Sequence, residues 1–160
     1  KFIVIPCNTA HYWYDDLQKK IKIPIISMPK EVYLHTKNKC KKNSKIGILA
    51  TEGTLKKNVY SKFFNKNFNL ISPKKTLQIN SVNKAIKYVK MGKIKKAEKA
   101  IKPAINYLLK MKCIKIILGC TELPIAIFAF KSFKKIKLSK TFLDPNLILA
   151  NISMQKYKKL

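Results

Sequence analysis

Arginine is absent from this chain of 160 residues, and both acidic residues and glycine are scarce. The 35 basic residues other than histidine are all lysines, whereas aspartate and glutamate together number seven and glycine four. The resulting net charge of +28 would attract nucleic acid, but specific readers rely on the bidentate contacts that arginine makes with bases and phosphates. Because the lysines are spread over nearly every segment, the composition indicates AT-rich codon bias and predicts no specific nucleic-acid interface.

Long apolar runs and closely spaced cysteines are also missing. Lys115, Thr121 and Glu122 interrupt the most hydrophobic region, so no stretch approaches the ~18 apolar residues that a membrane span requires. The four cysteines form no CxxC pair and no zinc-like cluster with the two histidines. With no signal peptide in view, we expect a cytoplasmic protein with reduced thiols, no metal and no membrane contact.

What the chain does contain is an alternation of short apolar runs with segments of helical periodicity, which is typical of α/β units. The predicted strands are FIVIP, IPIISM, KIGILAT, FNLIS, CIKIILG and TFLD. The predicted helices cover residues 10–20, 54–66, 81–90 and 93–111, followed by a last helix that Asp144 caps and Pro145 begins. The pattern therefore predicts the α/β class with parallel sheets.

Two segments repeat one pattern, in which an apolar strand leads into a cysteine, polar residues and a helix. They are IVIPCNTA, which contains Cys7, and KIILGCTELP, which contains Cys120, and the two cysteines lie 113 residues apart. In open α/β sheets, ligands bind at the carboxyl ends of the strands. The repeat thus predicts two similar units that each present a thiol at such an edge. Cys40 and Cys113 lack this context and are expected to be ordinary small apolar residues.

The position of the two cysteines suggests a reaction. A helix that begins just after a cysteine stabilises the thiolate, so we expect the pKa of both thiols to fall below about 8.5. One thiolate can then remove a proton from a carbon atom while the opposite thiol delivers a proton to the other face, which inverts the configuration without a cofactor. The helix N-termini, with Asn8, Thr9 and Thr121, can hold a substrate carboxylate and the negative charge that develops.

On these residues the sequence resembles the aspartate/glutamate racemase superfamily. Members carry one cysteine in a CNTAH-like motif and another in a GCTE-like motif, which residues 7–11 and 119–124 match. The segments KIGILATEGTLKKNVY at 45–60 and YVKMGK at 88–93 are similar to two further regions of the family. The resemblance covers essentially the whole chain.

Within the superfamily, the sequence resembles the aspartate racemase branch. Glutamate racemases usually have a histidine after the second Cys-Thr pair and lack the histidine of CNTAH. Glu122 and His11 therefore favour the aspartate-type or broad-specificity branch. His11 itself is expected to be a structural histidine that could tune Cys7, and Thr51 and Thr54 are expected to shape a turn and cap a helix, with a substrate-binding role left open.

The resemblance implies two pseudo-symmetric α/β domains with the active site in the cleft between them. Residues 24–130 would form the second domain, and residues 1–23 and 131–160 would belong to the first. Roughly 75 residues of the first domain, within the usual size of a domain, would precede Lys1. We therefore expect the chain to be incomplete at its N-terminus.

The resemblance also implies the activity of a cofactor-independent racemase that needs neither pyridoxal phosphate nor metal. Cys7 and Cys120 would be its catalytic bases, and a small dicarboxylic amino acid such as aspartate its substrate. By the family match, Lys90 would pair with a substrate carboxylate, and Glu122 would bind the substrate ammonium or favour the helix dipole. Relatives are commonly dimers, so a homodimer is expected. The alternatives are a related isomerase such as a maleate isomerase, an inactive truncated remnant, and a basic nucleic-acid-associated protein.

Overall fold

The computed structural model describes residues 1–129 and 138–158, in which six short strands pair in parallel. The strands are β1 Ile3–Val4, β2 Ile25–Ile26, β3 Lys45–Ala50, β4 Asn69–Ile71, β5 Lys115–Gly119 and β6 Phe142–Leu143. Each strand lies within one of the apolar runs predicted from the sequence. The α/β class with parallel sheets is therefore confirmed.

Ten α-helices connect these strands within the described ranges. They are α1 Tyr14–Lys20, α2 Met28–Lys37, α3 Glu52–Lys56, α4 Ser61–Phe64, α5 Lys75–Leu77, α6 Lys84–Lys90, α7 Ile94–Lys110, α8 Glu122–Phe128, α9 Leu138–Thr141 and α10 Pro145–Tyr157. A 3-10 helix covers Thr9–Trp13 and a π-helix covers Gln78–Asn83. Among the helices described, none is both long and apolar enough to cross a bilayer.

Two of the differences from the predicted elements have local backbone reasons. The predicted helix over 54–66 is divided into α3 and α4, because Asn58 has a φ of 53° and an α-helix does not continue through the left-handed region. The strand predicted over IPIISM ends at Ile26, and α2, which is not predicted from the sequence, follows it with Pro29 in its first turn, a position that proline favours.

The last helix begins as the sequence predicts. The Asp144 side chain accepts a hydrogen bond from the backbone N–H of Asn146 at 2.9 Å, and Pro145 stands at the first helical position. The cap satisfies a backbone donor that the first turn of a helix otherwise leaves without a partner.

The strands form two sheets. β1 and β2 make a two-stranded sheet, and the other four strands follow the order β4-β3-β5-β6. In the register of the two central strands, Ile46 of β3 lies opposite Lys115 of β5, and Ala50 lies opposite Gly119. The carboxyl ends of β3 and β5 are therefore level, and the loops that follow them start at the same edge of the sheet.

Strand pairing crosses the predicted domain boundary. β2, in the range 24–130, pairs with β1, and β6, in the range 131–160, pairs with β5. Each of the two predicted domain ranges therefore contains a strand that pairs with a strand of the other range. The division into two domains stays a prediction, and residues 130–137 and 159–160, which belong to it, lie outside the described residues.

Helices cover both faces of the central strands. On one face, Leu49 and Leu118 pack in a cluster with apolar residues of α6, α7 and α8. On the other face, Ile48 and Ile117 pack with Phe64 of α4 and with apolar residues of α2 and α10. A parallel sheet buried on both faces is expected to consist of nearly continuous apolar strands, which is why these strands could be recognised in the sequence.

Candidate active site

A cavity of about 190 Å³ lies at the carboxyl ends of β1, β3 and β5. Its lining residues are Pro6, Cys7, Asn8, Thr9, Thr51, Lys90, Gly119, Cys120, Thr121 and Glu122. All seven residues that the sequence predicts as catalytic or substrate-binding are among them. The level ends of β3 and β5 explain part of this meeting, since they place Thr51 and Cys120 at one edge of the sheet.

The two predicted catalytic cysteines have unlike surroundings. Cys7 is exposed, whereas Cys120 is only 7% exposed and its Sγ donates a hydrogen bond to Glu122 Oε2 at 2.8 Å. Burial, followed by the bond to this carboxylate and its charge, raises the pKa of Cys120 to about 12. Cys120 is therefore a protonated thiol at neutral pH.

This finding corrects the prediction that a helix N-terminus lowers the pKa of both thiols. Beside Cys120 the helix is α8, which has only seven residues and begins with Glu122, so a carboxylate stands where the positive end of the dipole would act. A charged thiolate there would lose its hydration and face a like charge. The two unfavourable effects outweigh the dipole of a short helix.

Glu122 connects three other groups of the cavity. Its Oε2 accepts hydrogen bonds from Cys120 and, at 3.0 Å, from the hydroxyl of Thr121, and its Oε1 lies 3.7 Å from Lys90 Nζ. Burial alone would raise the pKa of Glu122, but the bonds from Cys120 and Thr121 and the charge of Lys90 lower it below its usual value. The carboxylate is thus ionised at neutral pH.

Asn8 carries a donor with no partner. The side chain is only 3% exposed, and its Oδ1 accepts a hydrogen bond from the hydroxyl of Tyr60 at 2.5 Å. Its Nδ2 is buried and makes no hydrogen bond with any residue that the structure describes. A buried amide donor without a partner is costly, and the cavity that Asn8 lines is where an acceptor can be supplied.

Three threonine hydroxyls join the loop after β1 to the loop after β3. Thr9 Oγ1 lies 2.7 Å from Thr54 Oγ1 and 3.3 Å from Thr51 Oγ1, and the latter two lie 3.0 Å apart. Thr51 also caps α3, because its hydroxyl accepts a bond from the backbone N–H of Thr54. The cluster holds the segment that carries Cys7 against the end of the central sheet.

His11 is bound to the main chain through both ring nitrogens. Its Nε2 accepts a bond from the N–H of Met28 at 3.1 Å, so the ring proton is on Nδ1, which donates to the carbonyl of Cys7 at 2.8 Å. Burial lowers the pKa of His11, since the charged ring would lose its hydration. His11 is therefore neutral and fixes the backbone at Cys7.

The remaining cysteines lie apart from the cavity. Cys40 is partly buried and Cys113 is buried, and burial raises the pKa of both thiols. Within the described part of the chain, no group of three or more histidine, cysteine, aspartate or glutamate side chains could hold a metal ion. The absence of a metal cofactor nevertheless stays a prediction.

Two contacts of the site are not predicted from the sequence. They are the hydrogen bond from Tyr60 to Asn8 and the hydrogen bond between the hydroxyls of Thr54 and Thr9. Both contacts join residues more than 40 positions apart. Tyr60 also lies next to the apolar residue Val59 and close to Phe63 in the sequence. Such a pattern indicates a core residue and gives no sign of which polar group its hydroxyl reaches.

Known proteins with similar sequences include amino-acid racemases. The profile of the family described as Asp/Glu/hydantoin racemase matches residues 1–152. The chain is 27% identical over 122 residues to the broad specificity amino-acid racemase RacX of Bacillus subtilis (strain 168), covering 76% of this chain and 52% of RacX. It is 33% identical over 128 residues to the glutamate racemase of Sulfurihydrogenibium sp. (strain YO3AOP1), covering 77% and 46% of the two chains.

Solved structures with the same fold include racemases for both acidic amino acids. Picrophilus torridus aspartate racemase superimposes with a TM-score of 0.74 at 26% identity, over 97% of this chain and 61% of that one. Campylobacter jejuni glutamate racemase superimposes with a TM-score of 0.63 at 22% identity, over 98% and 60% of the two chains, and this likeness shows the fold alone. The chain spans about half the length of RacX and of the Sulfurihydrogenibium glutamate racemase. By its profile match and its fold, the chain belongs to the Asp/Glu/hydantoin racemase family.

Proposed function

We propose that the protein is a cofactor-independent racemase of a small dicarboxylic amino acid, with aspartate as the substrate and Cys7 and Cys120 as the two bases. The observation that carries the proposal is that one cavity holds both thiols in unlike states, one exposed and one buried and protonated. A two-base inversion needs one group that accepts a proton and one that donates a proton to the same carbon.

In the proposed reaction, the thiolate of Cys7 removes the α-proton, and the electrons of the broken C–H bond move into the α-carboxylate. The Cys120 thiol then gives its proton to the opposite face of the carbon, and the electrons return to form the new C–H bond. Cys7 ends as a thiol and Cys120 as a thiolate, so protons balance. Exchange with solvent restores the starting state.

Glu122 would act through Cys120 in both directions. Its carboxylate keeps the proton on Cys120 until the α-carbon has become basic enough to take it. In the reverse direction, Cys120 must first lose this proton, and Glu122 Oε2, at 2.8 Å, is the acceptor in position to receive it. The contact thus supports a reaction that starts from either enantiomer.

The remaining lining residues would bind the substrate. Asn8 Nδ2 and the hydroxyls of Thr9 and Thr121 would donate to the α-carboxylate, on which negative charge grows during proton removal, and the Thr121 hydroxyl would turn from Glu122 to the substrate to do so. Lys90 would pair with the side-chain carboxylate of the substrate, and Glu122 Oε1, on the same side as Lys90, would meet the ammonium. The net charge of +28 would favour the approach of an anionic substrate.

Three further expectations belong to this proposal. They are the placement of the cavity in a cleft between two pseudo-symmetric domains, a homodimer and a cytoplasmic location. None of them enters the proton transfers described above, and the resemblance of the motifs is what supports them.

The test is exchange of the α-proton of L- and D-aspartate in D2O, followed by NMR, with glutamate as the comparison. Because the chain spans about half the length of RacX and of the Sulfurihydrogenibium glutamate racemase, the assay uses the protein translated from the whole reading frame. We expect exchange of the α-proton and racemisation of aspartate, and we expect racemisation to require both Cys7 and Cys120. A folded protein that isomerises maleate but racemises neither amino acid would contradict the proposal in favour of the related isomerases. Steeply salt-dependent DNA binding without turnover would favour the nucleic-acid alternative.

A further inference from the structure

The hydroxyl of Tyr60 reaches the active-site cavity from within the core. Tyr60 is 1% exposed and lies at the start of α4, yet its hydroxyl donates to Asn8 Oδ1 on the wall of the cavity. The two residues are 52 positions apart in the sequence. The contact therefore joins a core side chain to the loop that carries Cys7.

Packing holds the ring of Tyr60 in one place. The ring belongs to a cluster with Ile46, Ile48 and Ala50 of β3 and with Phe64, whose ring centroid lies 6.2 Å away. Burial, with a contribution from the charge of Asp144, raises the pKa of Tyr60 well above its usual value. The hydroxyl is therefore always protonated under physiological conditions and is always available as a donor.

The Tyr60 hydroxyl favours one of the two orientations of the Asn8 amide, a residue that lines the cavity. In the observed orientation, Oδ1 accepts the phenolic hydrogen and Nδ2 is the polar atom left over. If the amide were turned by 180°, Nδ2 could donate to the phenolic oxygen, but the phenolic hydrogen and Oδ1 would then be buried without a partner. Buried polar groups without a partner are costly, so the hydroxyl favours the orientation in which Nδ2 is the unpartnered atom.

We propose that Tyr60 is a positioning residue of the active site, which orients Asn8 so that its amide N–H2 donates to the α-carboxylate of the substrate. The inference rests on the proposed racemase function. Tyr60 touches neither the substrate nor the thiols, and it acts through Asn8 alone. Its contribution is to hold a donor ready before the carboxylate gains charge, which avoids reorganisation during proton removal.

The experiment combines Tyr60→Phe with Asn8→Ala and a matched control, Tyr33→Phe. Tyr33 packs against the same core cluster and its hydroxyl also bonds an asparagine, Asn67, but neither residue lines the cavity. We expect Tyr60→Phe to lower kcat/KM about 10-fold, the loss of one hydrogen bond, and Asn8→Ala to lower it about 100-fold. Tyr33→Phe should remain within about 2-fold of the wild type, as expected for a change away from the site.

The double variant distinguishes positioning from general support of the fold. If Tyr60 acts through Asn8, removing its hydroxyl in the Asn8→Ala background changes kcat/KM no further. The proposal is overturned if Tyr60→Phe costs the same factor in both backgrounds, or if it costs no more than Tyr33→Phe. Asn8→Asp adds a check that does not alter the core, because the carboxylate still accepts from Tyr60 but no longer donates. Full activity of Asn8→Asp would also overturn the proposal.

A second readout separates this inference from the racemase proposal. In the NMR spectrum of the nitrogen-15-labelled protein, the side-chain amide signals of Asn8, assigned by their loss in Asn8→Ala, should shift in Tyr60→Phe and stay in place in Tyr33→Phe. If the wild type shows no racemisation but the shift is seen, the function fails and the Tyr60–Asn8 contact stands. If the wild type racemises aspartate but the signals do not respond to Tyr60→Phe, the positioning role fails alone.

Discussion

The segments that carry Cys7 and Cys120 are alike in sequence but differ in structure. Each runs from a strand into a cysteine and then into helical backbone. Cys7 is exposed and its carbonyl is held by His11, whereas Cys120 is buried and its thiol is bonded to Glu122. A repeated motif thus gives one thiol open to solvent and one thiol that keeps its proton.

The difference shows which electrostatic effect dominates beside Cys120. A helix N-terminus is usually worth less than about 1 kcal/mol to a charged neighbour. Each pKa unit corresponds to about 1.4 kcal/mol, so a pKa of about 12 for Cys120 reflects opposing effects of several kcal/mol from burial and from Glu122. The position of a cysteine in a motif therefore does not by itself determine its protonation state.

Removing each of the two thiols in turn should have the largest effect on racemisation. Cys7→Ser and Cys120→Ser should each lower racemisation by at least about 1000-fold, because a serine hydroxyl is too weak an acid to replace either base. Each variant should still exchange the α-proton of the one enantiomer that faces its remaining cysteine, and the two variants should retain opposite enantiomers. The measurement is NMR exchange in D2O, with Cys40→Ser as the control, since Cys40 does not line the cavity. Exchange of the same enantiomer by both variants would refute the proposal that the two cysteines act on opposite faces of the α-carbon.

Removing the carboxylate beside Cys120 should make the two thiols more alike. Glu122→Gln deletes the charge that raises the pKa of Cys120 but leaves its burial. We expect alkylation of Cys120 by iodoacetamide to begin at lower pH than in the wild type, and racemisation to fall about 10-fold to 100-fold. Mass spectrometry of the two cysteine peptides across a pH series measures this. Glu31→Gln is the control, because Glu31 does not line the cavity. An unchanged alkylation profile of Cys120 in Glu122→Gln would contradict the statement that Glu122 raises the pKa of Cys120.

Lowering the pH should destabilise the folded protein through His11, which donates a hydrogen bond to the carbonyl of Cys7. Burial lowers the pKa of folded His11 below 6.5, so the unfolded chain binds a proton first as the pH falls. The stabilising contribution is complete above pH 6.5 and is lost progressively as the pH falls from there through the folded pKa. Thermal unfolding from pH 7.5 to 5 should show a falling Tm in the wild type and a smaller fall in His11→Gln. His35→Gln is measured for comparison, because burial lowers the pKa of His35 as well. An equal fall of Tm with pH in the wild type and in His11→Gln would contradict the predicted contribution of His11.

The smallest expected effect concerns the threonine cluster that holds the Cys7 segment to the end of β3. Thr54→Val keeps the shape of the side chain but removes the buried hydroxyl that lies 2.7 Å from Thr9 Oγ1. We expect the free energy of unfolding to fall by about 1 kcal/mol, whereas Thr54→Ser, which keeps the hydroxyl, should lose less. Urea titration measures both. Equal losses in the two variants would mean that the methyl group, and not the hydroxyl, stabilises this junction.

Much of the fold could be predicted because its signals are local. The buried strands β3 and β5 are continuous apolar runs, and the cap at Asp144 depends on residues only two positions away. The break at Asn58 and helix α2 were not predicted, because a left-handed residue in a helical pattern and a helix directly after a short strand leave only weak traces in the sequence.

Six of the seven residues predicted for the site belong to the two cysteine motifs, which follow β1 and β5 and meet at one cavity although the two strands lie in different sheets. The sequence by itself therefore determined the α/β class, the parallel strands and the two motifs that line the cavity. Only the tertiary structure decided that Cys120 is a buried thiol, that His11 is a neutral anchor of the Cys7 backbone, and that the Tyr60 hydroxyl donates to Asn8. The physical reason is that protonation states and amide orientations depend on desolvation and on partners that are distant in the chain, and both exist only after the chain has folded.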